Sequence, residues 1–339
     1  MRALKQYSSL AGHCRVGEND EEMKFLISGA NGFIGKLLCA ELFHQGKFVR
    51  GAARSANSII ENIEVVSVGS IDGETNWADA LRDVEVVIHL AARVHVMQDS
   101  AADPLVEFLK VNLHGTVNLA QQAARAGVKR FVYVSSAKVN GEQTTESQAF
   151  VESDQPDPQD PYAVSKWQAE QALQRIAQET GLEVVIVRPP LVYGPGVKGN
   201  FISLLAAINK GVPLPLAGAH NARSLLYVGN LVNALIVCAT HPVAAGQTYL
   251  LSDGEDVSTA TLVEKISQAL GRNSRAFYFP RSALRAVAVM LGRAEQVDRL
   301  FGLLRVSDKK IRAELGLYPP YTLEQGLRET ADWYHHRRD

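Results

Sequence analysis

Tyr162 and Lys166, spaced as Tyr-x-x-x-Lys, could together move a proton at a reacting oxygen. Four residues make about one helical turn, so on a helix the phenol and the ammonium share one face with a rise of about 6 Å. A neighbouring cation stabilises phenolate and draws a tyrosine pKa down from about 10 toward the working range. Such a pair suits proton transfer to or from a reacting oxygen. A hydroxyl to hold that oxygen is expected from Ser135-Ser136. Gly29-Ala-Asn-Gly32-Phe-Ile-Gly35 reads as the cradle of a dinucleotide cofactor. Glycines permit a tight turn, close approach to a pyrophosphate and close helix packing, while the helix that follows presents N–H groups to the anion. An ordinary tight turn could use the same glycines, but this loop lies between a strand pattern and a helix pattern at the start of a βαβ unit.

The end of the second strand chooses between carriers. Gly51-Ala52-Ala53-Arg54-Ser55 holds no acid to accept from the ribose 2′-OH, so NADP(H) is favoured, with Arg54 pairing the 2′-phosphate. NAD(H) stays open, with Arg54 solvated or stacked on adenine.

The elements that must position these groups alternate short apolar runs with helical patterns. Strands are expected at 24–28, 48–53, 63–68, 84–90, 130–135 and 183–188, with helices at 33–45, 74–81, 103–126 and 160–180. That order predicts an α/β Rossmann fold, a doubly wound parallel sheet, with a smaller and mostly C-terminal substrate-binding lobe. Residues 1–22 read as a disordered extension, 23–188 as the NAD(P)-binding core and 189–339 as mainly the second lobe. A strand near 247–252 returns to the core sheet, and a short one is expected at 276–280.

The 339 residues can bury roughly three quarters of the extended chain's surface without staples. Cys14, Cys39 and Cys238 are far apart and lack ligand spacing, so neither a metal site nor a disulfide framework is expected. The net charge of −1, without long like-charge runs, argues against a nucleic-acid or anionic-membrane surface. Nearly uncharged helical stretches near 231–239 and 283–291 fall short of the 18 or so residues a membrane span needs. Residues 1–22 lack the apolar region of a secretory signal, which favours a cytoplasmic enzyme. His89 and His114 read as structural rather than as ligands.

GANGFIG (29–35), HLAA (89–92), VNLHGTVNLA (111–120), SSAKVNG (135–141), PYAVSK (161–166) and RPPLVYGPG (188–196) follow one another in an order and spacing that resembles the extended short-chain dehydrogenase/reductases. The likeness is to their NAD-dependent epimerase/dehydratase branch and covers nearly all of 23–339. It implies catalytic roles for Ser136, Tyr162 and Lys166, and a bracing role for Asn112. Cofactor contacts are implied at Gly29, Asn31, Gly32, Phe33, Ile34, Gly35, Arg54, Ile71, Leu90, Ala91, Ala92, Tyr162, Lys166 and Pro189. Substrate contacts are implied at Ser136, Asn200 and Arg223, with Arg223 on the diphosphate of a UDP-sugar. The resemblance also implies a homodimer through helices 103–126 and 160–180.

Departures from the family pattern narrow the reaction. Sugar 4,6-dehydratases carry Asp and Glu after the catalytic hydroxyl, where this chain has Ala137 and Lys138, so dehydration is disfavoured. UDP-glucose 4-epimerases usually carry a second-strand Asp and an Asn in the RPP-like segment, where this chain has Ala53 and Leu191. With Arg54, these departures favour reduction of a UDP-4-keto-6-deoxy-N-acetylhexosamine for bacterial surface polysaccharide, ahead of a UDP-glucose or UDP-N-acetylglucosamine 4-epimerase with bound NAD. A reductase of a non-nucleotide carbonyl and a non-enzymatic NAD(P) sensor rank lower.

Overall fold

The computed structural model describes residues 23–55, 60–94, 103–292 and 294–337, so the expected extension at 1–22 lies outside the described residues. Its first half runs β1 (Lys24–Ser28), α1 (Phe33–His44), β2 (Phe48–Ala53), β3 (Glu64–Ser67), β4 (Val86–His89), α2 (Pro104–Leu109), a π-helical turn (Lys110–Gly115), α3 (Thr116–Arg125), β5 (Arg130–Val134), α4 (Pro161–Thr180) and β6 (Glu183–Arg188). The second half adds β7 (Leu191–Tyr193), α5 (Gly199–Asn209), β8 (Arg223–Tyr227), α6 (Val228–Thr240), β9 (Thr248–Leu250), β10 (Asp256–Val257), α7 (Thr259–Ala269), α8 (Arg281–Met290), α9 (Ala294–Phe301), α10 (Lys309–Leu315) and α11 (Leu323–His336).

Seven strands form one sheet in the order β3-β2-β1-β4-β5-β6-β9, every neighbouring pair parallel. Chain order reverses between β1 and β4, and in such sheets ligands bind beyond the strands' C-terminal ends at that switch point. The two-residue period of the strands builds both faces. Phe25, Ile27, Val132, Val134, Val185 and Val187 pack with α1 and α6 residues such as Leu38, Leu42, Leu231 and Leu235. Leu26, Phe131, Tyr133, Val184 and Ile186 point the other way, onto Leu119, Ala123, Ala169 and Leu173 of α3 and α4. Each such fully buried Leu or Phe contributes about 1.5–3 kcal/mol. A second sheet, β10-β8-β7, and helices α5, α7 and α11 enclose another core around Tyr193, Phe201, Tyr227, Leu262 and Leu327. The stretch after Arg188 therefore does more than return one strand, because α6 covers the first sheet as well.

Three expected elements differ in the structure. Residues 74–81 form turns rather than a helix. There Asp72 and Asn76 side chains accept from Glu74 N and Ala78 N, and Gln122 and Asn118 of α3 bind Thr75 O, so side chains take over the bonds a helix would make. Trp77 is meanwhile drawn fully into the core. The helix expected at 103–126 is broken by the π turn, a wider coil often found at functional sites. At 276–280 only Ala276 bridges, to Leu214, because prolines at 213, 215 and 280 deny the ladder its donors.

Candidate active site

The carboxyl ends of β1, β4 and β5 carry the site. At β5 the chain leaves the sheet through Ser135 and Ser136, and the two hydroxyls part company. Ser135 Oγ donates to Glu170, while Ser136 Oγ accepts from Lys138 N at 3.2 Å and is near enough to Tyr162 to draw its phenol pKa down. The Ser136 turn is fixed to the end of β6 by Ala137 N donating to Pro189 O at 2.9 Å.

Helix α4 presents Tyr162 and Lys166 from its first turns. Pro161 is tolerated at the helix start because no donor is needed there, and Asp160 caps it by accepting from Ala163 N at 2.7 Å. The far end stops at Gly181, whose φ of 76° suits a residue without Cβ. Lys166, only 2% exposed, donates to Val134 O at 2.8 Å and lies 4.6 Å from the ring centre of Tyr133. It is 5.9 Å from the ring centre of Tyr162, which packs edge-on against Phe108.

The expected lowering of the phenol pKa by Lys166 does not prevail. Burial, then the Asp160 charge, push Tyr162 up to about 12 against the pull of the Ser136 hydroxyl. Burial brings Lys166 down to about 7, opposed by the Glu170 charge. Desolvation disfavours both charged forms, so the resting pair favours a neutral phenol and a weakly held ammonium proton.

Sequence reasoning missed what lies below this pair. Glu170 accepts Arg188 Nε at 3.0 Å and Nη2 at 2.6 Å, and Arg188 Nη1 reaches Asn140 Oδ1 at 3.0 Å. Both charges are buried, and a two-pronged bond holds them. The spacing 162, 166, 170 repeats every helical turn and was the available signal. Lys138 was likewise missed. Two residues after Ser136, its ammonium meets Asp160 and, at 3.3 Å, Glu142, so it straps the Ser136 turn to the start of α4.

Asn112, in the π turn, ties the third piece in. Its Oδ1 accepts from Arg93 N at 2.8 Å, and its Nδ2 donates to Arg93 O at 3.1 Å and to Ser165 Oγ at 3.0 Å. His89 supports it through a polar chain. Thr116 Oγ1 gives its proton to Asn112 O at 2.7 Å and so accepts from His89 Nε2 at 3.0 Å. Nδ1 must then accept from Ser28 Oγ at 2.6 Å, and Ser28 Oγ accepts from Leu90 N and Ala91 N. Burial, with Lys166 nearby, lowers His89 to about 3, so it is the neutral structural residue expected.

The glycine loop fits a dinucleotide. Gly29 has φ 69°, and a Cβ there would lie 3.0 Å from Ala91 N. A Cβ on Gly35 would lie 2.3 Å from Gly29 O, so the start of α1 can approach β1 only with glycine. Helix α1 begins at Gly32 with no side-chain cap, leaving its first-turn donors, from Phe33 and Ile34 onward, to an anion. Asn31 is exposed beside them. Leu90, Ala91 and Ala92 lie partly exposed past β4, and Ile71 packs against Gly115 of the π turn. These residues would hold a dinucleotide's pyrophosphate and pass beside its rings.

Three candidates are not drawn into this cluster by their contacts. Arg54 is exposed past β2, and Asn200 is exposed in the first turn of α5. Arg223 Nη1 donates to Arg299 O at 2.6 Å and to Gly302 O at 3.3 Å, anchoring it to the segment after α9. Burial, then the Arg299 charge, lower its pKa. Among the described residues no group of three His, Cys, Asp or Glu is placed to hold a metal ion, and no helix is long and apolar enough to cross a membrane.

The NAD dependent epimerase/dehydratase family model matches residues 25–252. A UDP-glucose 4-epimerase of Vibrio cholerae is 41% identical over 93% of this chain and 97% of its own. A 3-beta-hydroxysteroid dehydrogenase of Mycolicibacterium neoaurum is 27% identical over 92% of this chain and 91% of its own. Among solved structures, MoeE5 in complex with UDP-glucuronic acid and NAD aligns with a TM-score of 0.76 and 26% identity, covering 93% of this chain and 99% of that one.

Proposed function

The chain belongs to the NAD dependent epimerase/dehydratase family, and from that premise we propose that it is a 4-epimerase of a UDP-hexose or UDP-N-acetylhexosamine working with NAD. The observation that carries this reading is the 41% identity, over nearly the whole of both chains, to the Vibrio cholerae epimerase. It reverses the order of the two readings drawn from Arg54, Ala53 and Leu191. The 4-ketoreductase, and with it the preference for NADP(H), moves to second place, kept there by the acid-free end of β2.

A bound nicotinamide supplies an acceptor and donor of hydride at sugar C4. Ser136 Oγ holds the substrate's O4 beside Tyr162. Tyr162 Oη takes the O4 proton as C4 gives up its hydride, and returns it to O4 after the 4-keto sugar has turned its other face. Lys166, as ammonium, favours the phenolate needed for the first transfer. Asn112 acts through others, fixing the backbone at Arg93 and the first turn of α4. Arg223 is assigned the substrate diphosphate and Asn200 a contact with the uridine or sugar.

The test is to incubate the purified protein, without added cofactor, with UDP-glucose, UDP-galactose and their N-acetyl counterparts, and to follow products by NMR. Interconversion with NAD(H) retained on the protein supports the proposal. NADPH consumption on a UDP-4-keto sugar, with no interconversion, would replace it by the reductase.

A further inference from the structure

The exposed face around α8 is unlike the rest of the molecule. Among the described side chains of residues 272–301, Arg272, Arg275, Arg281, Arg285 and Arg299 stand against Asp298, a net +4 in a chain whose total is −1. Within the same stretch Met290 is 87% exposed, Tyr278 73%, Leu291 67%, Val289 55% and Val287 50%. Of the ten residues of α8 only Ala288 is buried, so the helix spends little of its apolar surface on the fold. Val287, Met290 and Leu291 follow one another at i, i+3 and i+4 and make one outward stripe.

The charges sort into two groups. Arg281 and Arg285, though exposed, pair with Asp298 at 3.5 and 3.0 Å. Arg272 Nε and Arg275 Nη1 instead donate to neutral oxygens, Asn209 Oδ1 at 3.3 Å and Gly211 O at 3.2 Å, so their positive charge stays uncompensated there. An apolar stripe with aromatic and cationic flanks, too short to span a bilayer, has the makings of a helix that lies in a membrane interface.

We propose that α8 and its flanks dock this protein on an anionic phospholipid surface, with Val287, Met290 and Leu291 entering the interface and Arg272 and Arg275 meeting headgroup phosphates. The whole-chain charge argued against such a surface because it averages this face with the more acidic remainder. Arg223 is tied through Arg299 O and Gly302 O to the end of the same segment, so docking holds the substrate lobe close to the bilayer. The proposal stands apart from the epimerase reading, since it concerns a different surface.

The experiment is co-sedimentation of the full chain with vesicles of phosphatidylcholine alone or with roughly a third phosphatidylglycerol, at low and high salt. The expected result is binding to the anionic vesicles at low salt, at least about tenfold weaker at high salt or on phosphatidylcholine alone. Met290→Ser with Leu291→Ser is expected to weaken it by about tenfold or more, and Arg272→Ala with Arg275→Ala to remove most of the salt dependence. Unchanged melting temperatures show that both variants fold. Wild-type protein that stays in the supernatant overturns the proposal, as does a Met290/Leu291 variant that binds like wild type. So does a concentration-dependent dimer, lost in that variant, without vesicle binding, which makes a second copy the occupant.

Discussion

The starts of α1 and α4 stand near the same edge of the sheet, and each presents the positive end of a helix dipole toward the cleft. Their sequences treat that end in opposite ways. Helix α1 opens on Gly32 with no side chain turned back, so its donors are left for an outside anion. Helix α4 opens on Asp160, which takes the Ala163 N–H on one oxygen and the Lys138 ammonium on the other. Position in a doubly wound sheet makes both ends eligible for phosphate, and the residue before each helix decides which one is left open to it. The closed end is then free to do something else: it holds a phenol and an amine at fixed spacing.

The strongest way to break this contrast is Gly35→Val, which drives a side chain into Gly29 O and separates α1 from β1. Loss of cofactor binding and destabilisation by at least about 1–3 kcal/mol are expected; a variant retaining NAD(H) at the wild-type melting temperature would show that the close approach is dispensable. Next in size is Tyr162→Phe, expected to cost about a hundredfold or more in turnover while NAD(H) stays bound, because only the proton transfer is removed. Equal loss of cofactor would mean that the two helix starts are not functionally distinct.

Acid unfolding tests the polar chain that joins the two starts through Ser28, His89, Thr116 and Asn112. His89 binds its proton near pH 3 when folded and near 6.5 when unfolded, so the unfolded state binds more protons between those values. Stability therefore falls as pH drops from 6.5 toward 3, and His89→Gln should flatten that part of a stability-against-pH curve. The cap itself is probed by Asp160→Ala, expected to cost about 1 kcal/mol in thermal unfolding. Lys138→Met removes a positive charge that offsets Asp160 near Tyr162, so the rising limb of the turnover profile, set by the phenol that must lose its proton, should move to higher pH; Asp160→Asn should move it to lower pH. The smallest effect is expected at exposed Arg54. Under the NAD reading, Arg54→Ala changes the affinities for NADH and NADPH alike, by less than about threefold, whereas a selective loss of NADPH would restore the reductase.

Much of this contrast is legible in the sequence because it is written in local patterns. The alternation in β1, β5 and β6 places each strand with one face on each helix layer, and the glycine loop and Tyr162/Lys166 are read from spacing. The bracing is harder to read. Asn112 reaches Ser165 because the π turn widens the coil, and no periodicity marks such a turn. Residues 74–81 look helical until the side chains of Asn118 and Gln122, more than forty positions away, claim Thr75 O. The raised pKa of Tyr162 escapes the spacing rule because desolvation depends on everything packed around it, whereas the rule counts only Lys166.

The last strand of the large sheet has a consequence for how the molecule comes into being. β6 ends at Arg188 and its partner β9 begins at Thr248, so an edge of unpaired backbone waits about 60 residues for its neighbour. At roughly 5–20 residues per second on the ribosome, that edge stays open for about 3–12 s. The segment made in the interval includes α6, which covers one face of the same sheet. The nucleotide half is thus not finished before the rest is made, and a nascent chain stalled near residue 190 would expose a strand edge ready to pair with another copy.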